Sequence, residues 1–159
     1  MAISFIANCV VFNRIFAEEF DDSYVWLDRQ DCNWSAEIAM GTITDMITAH
    51  GLASQGGLIE GILCHDGGML MGVISALEAM GLEPGADVEI VAAGSNTAVR
   101  DALESGWLTA TSTQDPMEEA SIAVQLIYDL IAGNPVTPGW TRTPTPAAYK
   151  ETIDDFNWF

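Results

Sequence analysis

Basic residues are scarce in this sequence. One Lys and four Arg stand against 23 acidic residues, a formal net charge of −18 over 159 residues. Five cations cannot neutralise a row of phosphates, so direct nucleic-acid binding is not expected, and an anionic membrane surface repels such a chain. Cysteines are few as well: Cys9, Cys32 and Cys64 are widely spaced and contain no C-x-x-C pair. This argues against a disulfide framework or a thiolate metal site and for three small buried hydrophobes. No apolar run reaches the ~18–20 residues of a membrane span. Residues 2–12 are apolar but lack a basic flank and a cleavage pattern, so they do not read as a signal peptide. Internal repeats and low-complexity tracts are absent too.

What is present is a core. Hydrophobic residues make up 49% of the chain, which excludes disorder as a general description despite the charge. Phe12, Ile15, Phe16 and Phe20 recur at helical spacing, and residues 24–27 suit a short strand. Asn33 or Ser35 suits the cap of a helix whose Ile38, Ile43, Met46 and Ile47 form one apolar stripe ending at Gly51. Residues 58–64 are a near-continuous apolar run, as in a strand covered on both faces. Next come a helix over 69–80, a buried strand over 88–93, a helix from Asn96 or Thr97 to Glu104 and a strand over 107–113. Asp115-Pro116-Met117-Glu118 is a strong helix start, and that helix carries Ile122, Leu126, Ile127, Leu130 and Ile131 as far as Gly133.

Strands and helices alternating at this spacing predict an α/β fold, a three-layer sandwich whose mainly parallel sheet has helices on both faces. Residues 1–133 are expected to form a single lobe. Residues 134–159, with Pro135, Pro138, Pro144 and Pro146, are expected to run as an extended C-terminal strap on the same domain, with one short helix over 149–156.

Cys64-His65-Asp66 has the composition of a catalytic triad but not its geometry. Successive residues of a strand point to opposite faces, so Cys64 and His65 do not address one substrate, and two adjacent ligands without a third make a poor metal site. Neither catalysis nor a metal or other cofactor is expected. Position is the informative feature. Asp66, Asn96 and Gln114 come just after three consecutive predicted strands, at the carboxyl ends where open α/β sheets bind ligands. Their side chains suit hydroxyl recognition rather than acid–base chemistry. Asp66 equally suits the N-cap of the helix after Gly67-Gly68, and for Asn96 capping is the stronger reading. Trp34, at a strand-to-helix junction among polar neighbours, is either a structural anchor or a face on which the apolar side of a sugar ring stacks.

The segment Gly61-Ile62-Leu63-Cys64-His65-Asp66-Gly67-Gly68-Met69-Leu70-Met71-Gly72 resembles the strand-to-helix region of type I periplasmic sugar-binding proteins. The likeness extends through Ala76–Leu82, Pro84–Val88, Ala102–Thr111 and Gln114-Asp115-Pro116, and upstream through Arg14–Phe20 and Asn33-Trp34-Ser35, so it covers about residues 14–156. It implies the C-terminal lobe of a two-lobed solute-binding protein of an ABC importer, periplasmic or extracellular, that binds a monosaccharide or similar polyol and meets an ABC permease. It also implies that an aromatic at Trp34 stacks on the sugar, that Asp66 and Gln114 bond its hydroxyls, and that Asn96 lies in a ligand loop. The rival is a non-transport oligomerising or sensor module built on the same lobe. Apolar residues 1–13 and the aromatics Trp140, Phe156, Trp158 and Phe159 lead us to expect a homo-oligomer.

Overall fold

The computed structural model describes residues 2–6, 25–139, 141 and 143–159. The order is β1 (Ala2–Ile6), β2 (Val25–Gln30), α1 (Ala36–His50), β3 (Gly61–Cys64), α2 (Gly67–Ala79), β4 (Glu89–Ala93), α3 (Thr97–Ser105), β5 (Ala110–Ser112), α4 (Pro116–Ala132) and β6 (Ala147–Ala148). Short 3₁₀ turns lie at Ala53–Gln55 and Lys150–Asp155. The helix expected around Phe12–Phe20 lies outside the described residues.

The strands form one six-stranded sheet in the order β2-β1-β3-β4-β5-β6. All neighbouring pairs are parallel except β5–β6. The connections from β2 to β3, β3 to β4 and β4 to β5 all advance the same way across the sheet. Right-handed crossovers therefore place α1, α2 and α3 on one face, and α1 packs along α2, which in turn meets α3. The core lies between this helix layer and the sheet: Ile43 and Met46 of α1, Leu70, Val73 and Leu77 of α2, Ile62 of β3, Ile90 of β4, and Val99 and Leu103 of α3 are all buried. Each such side chain contributes roughly 1.5–3 kcal/mol. Gly72 permits the α1–α2 contact, since a Cβ there would lie 2.0 Å from the Ala36 carbonyl oxygen.

Three details depart from the sequence-based expectation. The apolar stretch at the start of the chain supplies a central strand, β1, which pairs on both sides. β3 is buried at every position, as expected, but β4 alternates: Ile90 and Ala92 are buried while Glu89 and Val91 are exposed. The proline-rich strap adds an antiparallel edge strand, β6, through Thr111 and Ser112. Its continuation is a 3₁₀ turn rather than an α-helix, and Ile153, Phe156 and Trp158 pack against the core.

The largest departure is α4. It is capped as expected, with the Asp115 carboxylate accepting from the Met117 and Glu118 amides and Gly133 closing it in the left-handed region. Yet none of its 17 residues is buried, and Met117, Val124, Ile127, Tyr128, Leu130 and Ile131 are all exposed, Ile131 to 83%. The reason is topological. Among the described residues no further parallel strand comes after β5 in the sheet, so no crossover to such a strand holds α4 against it.

Candidate functional site

The carboxyl ends of the parallel strands open onto a cavity of ≈ 290 Å³. Trp34, His65, Asp66, Gly67, Ala93, Gly94, Ser95, Asn96, Gln114 and Phe159 line it. All four residues singled out from the sequence, Trp34, Asp66, Asn96 and Gln114, are therefore brought together.

Trp34 sits in the turn between β2 and α1. Asn33 and Trp34 both adopt positive φ, 48° and 60°, a conformation uncommon for residues other than glycine and enriched where backbone strain serves a site. The turn is held by the Asn33 amide donating to Asp31 Oδ1 at 2.8 Å and the Ser35 amide donating to the Cys32 carbonyl at 2.8 Å. Ser35, not Asn33, caps α1, its hydroxyl accepting from the Ile38 amide. The indole is left 69% exposed at the cavity rim.

Asp66 and Asn96 each cap a helix and each line the cavity. Asp66 Oδ2 accepts from the Met69 amide at 2.8 Å, while Oδ1 takes no bond among the described residues. Asn96 Oδ1 accepts from the Val99 amide at 2.9 Å, leaving its NH₂ as a donor. Capping fixes the side chains, and the remaining polar atoms line the cavity. Gly67 lets the two loops approach: a Cβ there would come within 2.6 Å of Val99 Cγ2 and 2.8 Å of Asn96 Nδ2.

Gln114 is held by its backbone. Buried Ser95 donates its hydroxyl to the Gln114 carbonyl and accepts from the Gln114 amide at 3.0 Å, tying the β4 and β5 ends together. The Gln114 side-chain amide makes no hydrogen bond among the described residues, so it offers both donor and acceptor to a ligand.

The free polar atoms that line the cavity are hydrogen-bonding groups: Asp66 Oδ1, the Asn96 NH₂ and the Gln114 amide. Cys64 is buried, its thiol bonds the Asp66 carbonyl at 3.3 Å, and burial pushes its pKa up to about 12. A thiol so protonated is no nucleophile near neutral pH. Among the described residues no three His, Cys, Asp or Glu side chains converge to hold a metal ion. Two lining residues escape the sequence reading. The sequence offers His65 only as a catalytic or metal-binding group, and Phe159 lies 45 residues after Gln114 with no local signal of its place.

This architecture has close counterparts among solved structures. A galactofuranose binding protein superposes with a TM-score of 0.81 at 18% identity, covering 97% of this chain and 53% of that one. A Mycobacterium smegmatis protein in complex with β-D-fucofuranose gives 0.80 at 20% identity, covering 98% and 51%. An ABC transporter periplasmic solute binding protein from Actinobacillus succinogenes with bound D-allose gives 0.79 at 19% identity, covering 98% and 55%. The chain thus spans about half the length of each of these structures. At the level of sequence, the family model of the periplasmic binding protein domain matches residues 7–135. With strand-end loops converging on one crevice and this match over most of its length, the chain belongs to the periplasmic binding protein domain family.

Proposed function

We propose that this domain binds a monosaccharide or similar cyclic polyol in the strand-end cavity. One observation carries the reading: Trp34, Asp66, Asn96 and Gln114, contributed by four separate loops, line a single cavity of ≈ 290 Å³. That space approaches the lower end of ordinary ligand pockets, about 300 Å³, and so suits a single sugar ring. An exposed indole face accepts the C–H face of such a ring. Asp66 Oδ1, the Asn96 NH₂ and the Gln114 amide supply acceptors and donors for its hydroxyls. Among the described residues no Lys or Arg lines the cavity, and with a net charge of −18 the site favours a neutral ligand over a sugar phosphate or sugar acid.

Under this reading the domain serves as the C-terminal lobe of, or a standalone relative of, a sugar-importer binding protein, placed in the periplasm or outside the cell and meeting an ABC permease. Similar structures described as ABC transporter solute binding proteins, with bound D-allose or myo-inositol, support the importer reading. A ligand held by one lobe stays wet, and each hydroxyl contact yields only ~0.5–1.5 kcal/mol. A stacked indole and two or three such bonds then reach about −4 kcal/mol, a millimolar Kd. Saturation-transfer NMR against a panel of pentoses and hexoses tests this. At least one sugar gives a signal, and the signal disappears in Trp34→Ala while circular dichroism stays unchanged. Silence across the panel at tens of millimolar, or undiminished binding by Trp34→Ala, overturns it.

A further inference from the structure

The last residues of the chain fold back onto the cavity, and only one of their aromatic rings faces it. Trp158 donates Nε1–H to the Ile153 carbonyl at 2.8 Å and meets Phe156 edge-on at 6.4 Å between ring centres, and both pack against the core. Phe159 does the opposite. Its ring is 58% exposed and lines the cavity with Trp34. Its backbone is pinned there: the Phe159 amide donates to the Ser95 carbonyl at 3.2 Å, and the Thr97 amide donates to the Phe159 carbonyl at 2.9 Å. The Phe159 backbone is thus held against the β4–α3 loop, 64 residues before it in the chain.

We propose that Phe159 is a specificity-determining wall of the site, contacting an apolar C–H or methyl group of a neutral sugar; this rests on the sugar-binding reading of the cavity. Several polar groups beside Phe159 already have partners. The Ser95 carbonyl is taken by Phe159, the Phe159 carbonyl by Thr97, Asn96 Oδ1 by Val99, and the Ser95 hydroxyl by Gln114. A sugar hydroxyl laid against the phenyl ring would lose water and gain no bond from it, whereas a methyl or ring C–H loses nothing. Trp34 and Phe159 therefore select for apolar surface, and Asp66 and Gln114 for hydroxyls. The site discriminates between sugars that differ by one hydroxyl at the Phe159 side.

The test uses the same panel extended by matched pairs that differ only in a methyl against a hydroxymethyl group: D-fucose with D-galactose, L-rhamnose with L-mannose, and 6-deoxy-D-glucose with D-glucose. In Phe159→Ala the affinity for the tightest panel sugar falls about fivefold, the size of one aromatic contact. Where a matched pair binds, wild type prefers the 6-deoxy member, Phe159→Ala removes the preference, and Phe159→Gln shifts it toward the hydroxymethyl sugar. The exposed ring makes both variants foldable, which circular dichroism verifies. Equal affinity of wild type and Phe159→Ala for the tightest sugar overturns the role of Phe159 and leaves the cavity reading standing. A wild type that binds no panel sugar overturns the cavity reading, and this proposal with it.

Discussion

Asp66 both caps a helix and lines the cavity, and under the proposed sugar-binding role this separates the effects of two substitutions. Its Oδ2 caps α2 through Met69. Asp66→Ala removes the cap and costs about 1 kcal/mol of stability as well as ligand affinity. Asp66→Asn keeps a capping oxygen, so its melting temperature stays near wild type while the hydroxyl contact changes character. Thermal denaturation beside NMR titration reads the two effects apart. Equal melting temperatures for all three proteins would show that the cap contributes nothing. Cys64 makes a prediction about alkaline pH. Desolvation by burial raises its pKa from 9.0 to about 12, a backbone hydrogen bond at Asp66 lowers it in part, and the nearby Asp66 and Cys32 charges add smaller increases. The unfolded chain therefore loses the thiol proton at lower pH than the folded one. The stabilisation is complete below pH 9 and is lost as pH rises toward 12, at roughly 1.4 kcal/mol per unit. Denaturant titrations from pH 8 to 11 give a steeper fall for wild type than for Cys64→Ala. Parallel slopes would place the thiol's titration near its ordinary value.

Among the elements, α4 is the one whose pattern and environment disagree. Its apolar residues and its caps make it a stable helix in sequence terms, yet no residue of it is buried. At concentrations where the wild type is a monomer, Val124→Gln with Ile131→Gln should therefore shift the melting temperature by no more than about 2–4 °C, since exposed substitutions stay within about 0.5 kcal/mol each. A larger drop there would mean that these side chains are covered within a single chain. The same double variant bears on the homo-oligomer expected from the sequence. Phe156 and Trp158 pack inward, and residues 7–13 and Trp140 lie outside the described residues, while α4 carries six of the fourteen large apolar side chains exposed among the described residues, more than any other element. Light scattering should give wild type a mass above one chain and the double variant a mass of one. A wild-type monomer at every concentration ends that expectation.

For the molecule as a whole, charge is the dominant surface property. A net −18 is set against few cations, and Arg100 is shared between Glu104 at 3.5 Å and Asp154 at 3.9 Å, both exposed acids. Pairs of that kind are worth little in water, so repulsion among the remaining carboxylates is largely unrelieved. Raising NaCl from tens of millimolar to about 1 M shortens the screening length to about 3 Å and raises the melting temperature. A flat or falling dependence would show that local pairing governs stability instead. The amino-acid pattern by itself determined the α/β alternation and the cap at Asp115, narrowed the start of α1 to Asn33 or Ser35 and that of α3 to Asn96 or Thr97, and singled out the four loop residues that line one cavity. All of these are local: apolar period, capping chemistry and glycine placement act within a few residues. The tertiary structure alone decided the rest. Whether β4 is covered on one face or two depends on how many helices the crossovers bring over it. Burial of the apolar residues of α4 depends on whether the sheet continues with another parallel strand beyond β5. Phe159 reaches the cavity because hydrogen bonds join it to Ser95 and Thr97, residues far away along the chain, and no periodicity in the sequence encodes a contact of that range.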